Sequence, residues 1–133
     1  MELRAWKIIV TSRTAFTGGI FQMTDKIVIL STCSGEDEGA RLARMLVEER
    51  LAACVSVVPG MRSYYRWQGA IETAGECLLI VKTSRALFDE VRAALEKAHS
   101  YEIPEAIALP LVEGAPNYMN WLQLNLKSEI GGE

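Results

Sequence analysis

The chain is poor in the side chains that most readily build a metal or catalytic centre. Among 133 residues there is one histidine, His99, and there are three cysteines, Cys33, Cys54 and Cys77. The cysteines lie more than 20 positions apart, which is neither a paired disulfide framework nor a close-spaced zinc signature. Reduced thiols in a cytoplasmic protein fit this usage. No apolar run approaches the roughly 20 residues that span a bilayer. Arg4, Lys7 and Arg13 interrupt the first 22 residues, which is not the pattern of a secretory leader. Basic excess is missing as well: the net charge is −3 and the pI about 5.3, so nothing global draws the chain to nucleic acid or to an anionic membrane. A Walker loop, a GxSxG elbow and a histidine-rich metal motif are all absent. Ser100 and His99 are adjacent and project apart, so they do not make a catalytic pair. No enzyme is expected, and partners among nucleic acids or membranes are not expected either.

Hydrophobic residues make up 50% of the chain, enough for one packed core without cofactors or staples. The expected organisation is an extension over 1–24, a single domain over 25–128 and a short tail over 129–133. Lys26 to Cys33, KIVILSTC, is a short β-branched run closed by Ser34 and Gly35 and reads as a buried strand. Ala40, Ala43, Leu46, Val47 and Leu51 recur at helical spacing, predicting a helix over 36–51 with Glu36, Asp37 and Glu38 at its positive end. A second strand follows from Cys54 to Trp67, kinked at Pro59 and Gly60. Gln68 and Gly69 form a tight turn into a third strand over 70–83, in which Gly75 marks a matching bulge. Ser84 is the expected N-cap of a helix running to His99. Ile103 to Val112, with Pro104 and Pro110, suits an edge strand, and Pro116 opens a last helix through Trp121, Leu122 and Leu126.

The long hairpin imposes a geometric problem. A strand from Cys54 to Trp67 spans roughly 46 Å, whereas the helix over 36–51 spans roughly 24 Å. Its far end, with Tyr64, Tyr65 and Trp67, overhangs the core and needs a cover, most simply a partner chain. The order β, α, β, β, α, β, α is that of an α+β, ferredoxin-like (split βαβ) antiparallel sheet with an extra C-terminal helix.

The segments LVEERLAACVSVVPGMRSYYRWQGAIE (46–72) and HSYEIPEAIALPLVEGAPNYMNWL (99–122) resemble the CutA family of divalent-cation-tolerance proteins. The resemblance runs from about Lys26 to Lys127 and rests on Leu-Ala-Ala-Cys-Val, Tyr-x-x-Trp-x-Gly, His-x-Tyr-x-x-Pro-Glu and Tyr-x-x-Trp-Leu. It implies a homotrimer shaped like the P-II signalling proteins, in which neighbouring subunits extend one another's sheets. It also implies a part in tolerance of copper and other divalent ions, with no cofactor required and no established reaction. Some members use a cysteine at the end of the first strand and two adjacent histidines. Here Ser31 falls at the cysteine position and Ala98 at one histidine position, which leaves His99.

Several residues could carry chemistry. His99 is the leading metal candidate, and Cys33 could join it, since thiolate plus imidazole suits a soft or borderline ion. The plainer readings are a helix C-terminal histidine and a packed cysteine. Lys82, Tyr101 and Glu105, with His99, form a candidate ligand site in an intersubunit cleft; an interface ion pair is the plainer reading. Tyr64, Tyr65, Trp67 and Trp121 are expected at the trimer interface. An RNA-stacking surface is the competing reading, disfavoured by the negative charge and the missing ribonucleoprotein motif. A P-II-like signalling or scaffold module, binding a small molecule or a protein in the cleft, is the alternative to a metal-response trimer.

Overall fold

The computed structural model describes residues 23–128. The tail expected over 129–133, and the extension expected over 1–24 except its last two residues, lie outside the described residues. Thr24 already belongs to the fold, because its backbone N–H and its hydroxyl both donate to Leu111 O.

The elements are β1 (Lys26–Cys33), α1 (Glu36–Glu48), β2 (Cys54–Trp67), β3 (Ala70–Ser84), a 3-10 turn (Arg85–Leu87), α2 (Phe88–Ala98), β4 (Ile107–Pro110) and α3 (Pro116–Leu124). All strand pairs are antiparallel and the sheet order is β2-β3-β1-β4. This is the ferredoxin-like arrangement. Alternation along the strands sorts the two faces. Ile27, Ile29, Ser31 and Cys33 of β1 lie opposite Thr83, Val81, Leu79 and Cys77 of β3, and all eight are buried. Leu42 and Leu46 of α1 and Val91 and Leu95 of α2 join them in the core.

Local physics sets the element ends. Gln68 and Gly69 both have positive φ, 50° and 86°, the signature of a primed two-residue hairpin turn. The register of β2 against β3 shifts between Val58 and Met61, where Pro59 lacks a donor and Gly60 has φ 80°. Gly75 does not form a matching bulge, because it pairs in regular register with Arg62. The first helix stops at Glu48 rather than Leu51. Arg50 takes φ 59°, its N–H donates to Val47 O, and Leu51 N–H donates to Leu46 O, closing a Schellman motif that buries Leu51 against Leu46. Ser84 makes no side-chain cap; the turn Arg85–Leu87 intervenes and α2 begins at Phe88.

The last strand is also shorter than expected, covering 107–110 and not 103–112. It is an edge strand, and Pro110 tolerates pairing there with Ile27. Residues 101–106, freed from the sheet, pass beyond the end of β1.

The hairpin overhangs as anticipated. β1 pairs with β3 only from Cys77 to Ser84, so from Ala70 to Glu76 β3 has β2 on one side and, among the described residues, no strand on the other. The face of the sheet away from α1 and α2 is covered at one end by α3. Lys26, on that face, donates to Gln123, and Lys82 Nζ lies 3.3 Å from Tyr118 Oη. Elsewhere that face leaves Ile107 and Leu109 more than half exposed.

Candidate functional site

Where β1 ends, Ser34 and Gly35 turn the chain into α1, and Glu38 occupies the third helical position. Its carboxylate reaches back to Ser34, taking the backbone N–H at 3.1 Å and the hydroxyl at 2.8 Å, much as the glutamate of a capping box does. It also accepts from Ser100 N–H at 2.7 Å and Ser100 Oγ at 2.9 Å, just past the end of α2. Burial pushes the Glu38 pKa up, but these donors outweigh it and hold the pKa down at about 2. Glu38 therefore clamps the loop after α2 to the loop after β1.

That clamp positions His99. Its ring is fully buried, with Nε2 2.8 Å from Thr32 O and Nδ1 accepting Tyr101 N–H at 3.1 Å. Since Nδ1 accepts, Nε2 carries the proton and donates to Thr32. The ring also lies 4.7 Å from the Tyr101 ring, centroid to centroid. His99 is thus neither an exposed dipole partner nor an open ligand: both nitrogens hold backbone.

Cys33 is packed, not open. It points into the core, where its Sγ makes a weak bond to Gly35 O at 3.5 Å and a Cβ placed on Gly39 would lie 3.3 Å from it. Burial pushes the Cys33 thiol pKa up, against the lowering effect of the Gly35 contact. Among the described residues no three His, Cys, Asp or Glu side chains converge in a metal-ligating group. Cys33 is packed in the core and both ring nitrogens of His99 are engaged, so neither offers an open donor for an ion shared between them.

The segment after His99 forms one wall of a cleft of about 920 Å³. The other wall is the overhanging hairpin, with Ser63, Tyr65, Trp67, Glu72 and Glu76. Tyr101 Oη donates to Glu76 at 2.6 Å, and Ser63 Oγ donates to the other oxygen of that carboxylate at 2.6 Å, so the two walls are tied together. Burial and this bond raise the Tyr101 pKa above the usual phenol range. Burial, and secondarily the Glu76 charge, raise that of Glu105.

Of the residues expected to form a ligand site, Tyr101 and Glu105 line the cleft, whereas Lys82 does not. Lys82 stands six residues from Glu76 along β3, about 20 Å away, and its ammonium lies 5.5 Å from the Tyr118 ring. Tyr64, Tyr65 and Trp67 line the same cleft and are at least 44% exposed. Tyr65 and Trp67 share a face, opposite Glu72 and Ala70. Trp121 packs beside Tyr118 on α3, with centroids 5.6 Å apart, and not against the arm.

Glu38, Ser34, Ser100 and Glu76 were not read as site residues. A glutamate three residues into a helix that follows serine was the one local signal for Glu38. Nothing local pointed to Glu76, whose partners come from another strand and from the loop after α2.

Comparison with known proteins agrees with this architecture. Residues 27–125 match the family described as CutA1 divalent ion tolerance protein. The divalent-cation tolerance protein CutA of Thermus thermophilus is 45% identical over 98 residues, covering 74% of this chain and 95% of that protein. The chloroplastic protein CutA of Arabidopsis thaliana is 40% identical over 97 residues, 73% of this chain, but the match spans only 53% of that longer protein. The crystal structure of CutA from Xylella fastidiosa superposes with a TM-score of 0.76 at 40% identity, over 78% of this chain and 100% of that one. The chain belongs to the CutA1 divalent ion tolerance family.

Proposed function

We propose that the protein works as a non-enzymatic homotrimer in the response to divalent metal ions, copper among them, and that its cleft is completed where subunits meet. The observation that carries this reading is the uncovered arm. Tyr64 is 67% and Ile71 61% exposed on the overhanging part of the hairpin, which no other strand among the described residues flanks, while Ile107 and Leu109 lie exposed on and beside the free β4 edge. Soluble proteins cover such edges and patches, and a copy of the same chain supplies both a matching edge and apolar side chains. Trp121 joins the interface from a neighbouring subunit in this reading, and Lys82 reaches the cleft only from one. The three unpaired thiols of Cys33, Cys54 and Cys77 support a cytoplasmic, reducing setting.

Within the assembly His99 acts by placing Tyr101 and the cleft wall, and a divalent ion is held beside Glu105 with donors that a neighbouring subunit adds, since no three ligating side chains converge among the described residues of one chain. Sedimentation at micromolar concentration tests the assembly: a trimer is expected, and a stable lone protomer would overturn it. Titration with Cu(II) and Zn(II) tests the ion, with binding expected to weaken in both Glu105→Gln and His99→Ala.

The size and aromatic lining of the cleft favour a second reading, a P-II-like signalling or scaffold trimer that binds a small molecule or a partner protein there. A trimer whose cleft variants change no metal affinity supports that alternative.

A further inference from the structure

Two of the three cysteines, more than 40 positions apart in the chain, meet in the fold. Cys33 closes β1 and Cys77 lies directly opposite it in the antiparallel register. Both side chains face the helix side of the sheet and are 0% and 2% exposed. We propose that Cys33 and Cys77 form a two-coordinate thiolate site for a soft monovalent ion of the Cu(I) class.

Spacing supports the assignment. Directly opposed antiparallel residues hold their Cβ atoms about 4.5–5.5 Å apart. Two thiolate–metal bonds of about 2.3 Å each, set in line, separate the sulfurs by about 4.6 Å. The pair can thus close on an ion with little backbone movement. Gly39 of α1 packs directly over Cys33; a Cβ there would stand 3.3 Å from its Sγ, so a side chain at this position would crowd the sulfur.

The number of donors selects the ion. His99 is held by Thr32 and Tyr101, and among the described residues no third His, Cys, Asp or Glu converges with another two. Zn(II) takes four ligands in a closed site. Sulfur donors select soft ions, and a d10 monovalent ion is satisfied by two in line. The exchange balances: two thiols and one Cu(I) give a bis-thiolate copper centre of charge −1 and release two protons, with no change of oxidation state. Burial keeps both sulfurs from bulk oxidants. The site needs neither the cleft nor the trimer, so its failure would leave the assembly reading intact.

The test is an anaerobic titration of the fully reduced chain with Cu(I) against the chromogenic chelator bicinchoninate. One ion per chain should be withheld, with the near-ultraviolet absorption of copper–thiolate bonds. Cys33→Ser and Cys77→Ser should each lose at least tenfold in affinity, while Cys54→Ser keeps it. Copper left entirely with the chelator, or retention unchanged in Cys77→Ser, would overturn the proposal. X-ray absorption on the loaded wild-type chain decides the matter even if a variant fails to fold: a shell of two sulfurs supports the site, and a nitrogen or oxygen shell overturns it.

Discussion

Ser100 donates both its backbone N–H and its hydroxyl to the carboxylate of Glu38, at 2.7 and 2.9 Å, across 62 positions of the sequence. With the two donors of Ser34 this makes Glu38 a buried anion with four hydrogen bonds at one end of the sheet. Arg41 adds a longer contact at 3.5 Å from a largely exposed side chain, which contributes little by comparison.

Acid should therefore loosen the fold at this clamp. The Glu38 pKa lies below its ordinary value of 4.5, at about 2, so its contribution is complete above pH 4.5 and fades as pH falls toward 2. A shift of that size is worth roughly 3 kcal/mol. Glu38→Gln should lower stability at pH 7 by about that amount and flatten the acid limb of the stability curve. Urea unfolding of both proteins between pH 7 and 3 checks this; parallel curves would contradict the clamp.

Ser31 should be dispensable. Its hydroxyl is the one buried side-chain polar atom without a partner among the described residues, and an orphaned donor costs about 1–3 kcal/mol. Ser31→Ala is expected to hold or raise stability by about 1 kcal/mol, read from the denaturant midpoint. A clear loss would reveal an interaction that the packing around Leu79 does not account for.

Gln68 is strained at the hairpin tip. With φ 50° it occupies the left-handed region that Asn and Gly tolerate better. Gln68→Asn should stabilise by about 0.5 kcal/mol and raise the melting temperature without altering assembly.

In the proposed trimer the arm should control assembly. Tyr65→Ser with Trp67→Ser removes two half-exposed aromatics from one face of the hairpin. Sedimentation should show the assembly shifting toward protomers, with far-ultraviolet circular dichroism unchanged. An intact trimer would place the contact elsewhere, on the β4 face.

Much of the fold could be read along the chain because its signals are local. β1 and β2 have the limits that apolar runs and turn residues announced, and the Gln68–Gly69 turn fixes the register between β2 and β3. The shortened first helix was hidden, since Arg50 is not a residue type that advertises a left-handed cap. The last strand was overextended because Ile103 looks like a strand residue, yet it sits 72% exposed in the cleft segment.

Sequence alone determined the order of elements, the overlong arm and its aromatic end, because periodicity, turn chemistry and chain length act within a few residues. The tertiary structure alone decided that His99 is locked by backbone, that Lys82 stands apart from Tyr101, and that Cys33 meets Cys77. Those outcomes depend on strand register and on where the loop after α2 lands. Hydrogen bonds such as that between Tyr101 and Glu76 join positions whose residue types say nothing of each other until the sheet has formed.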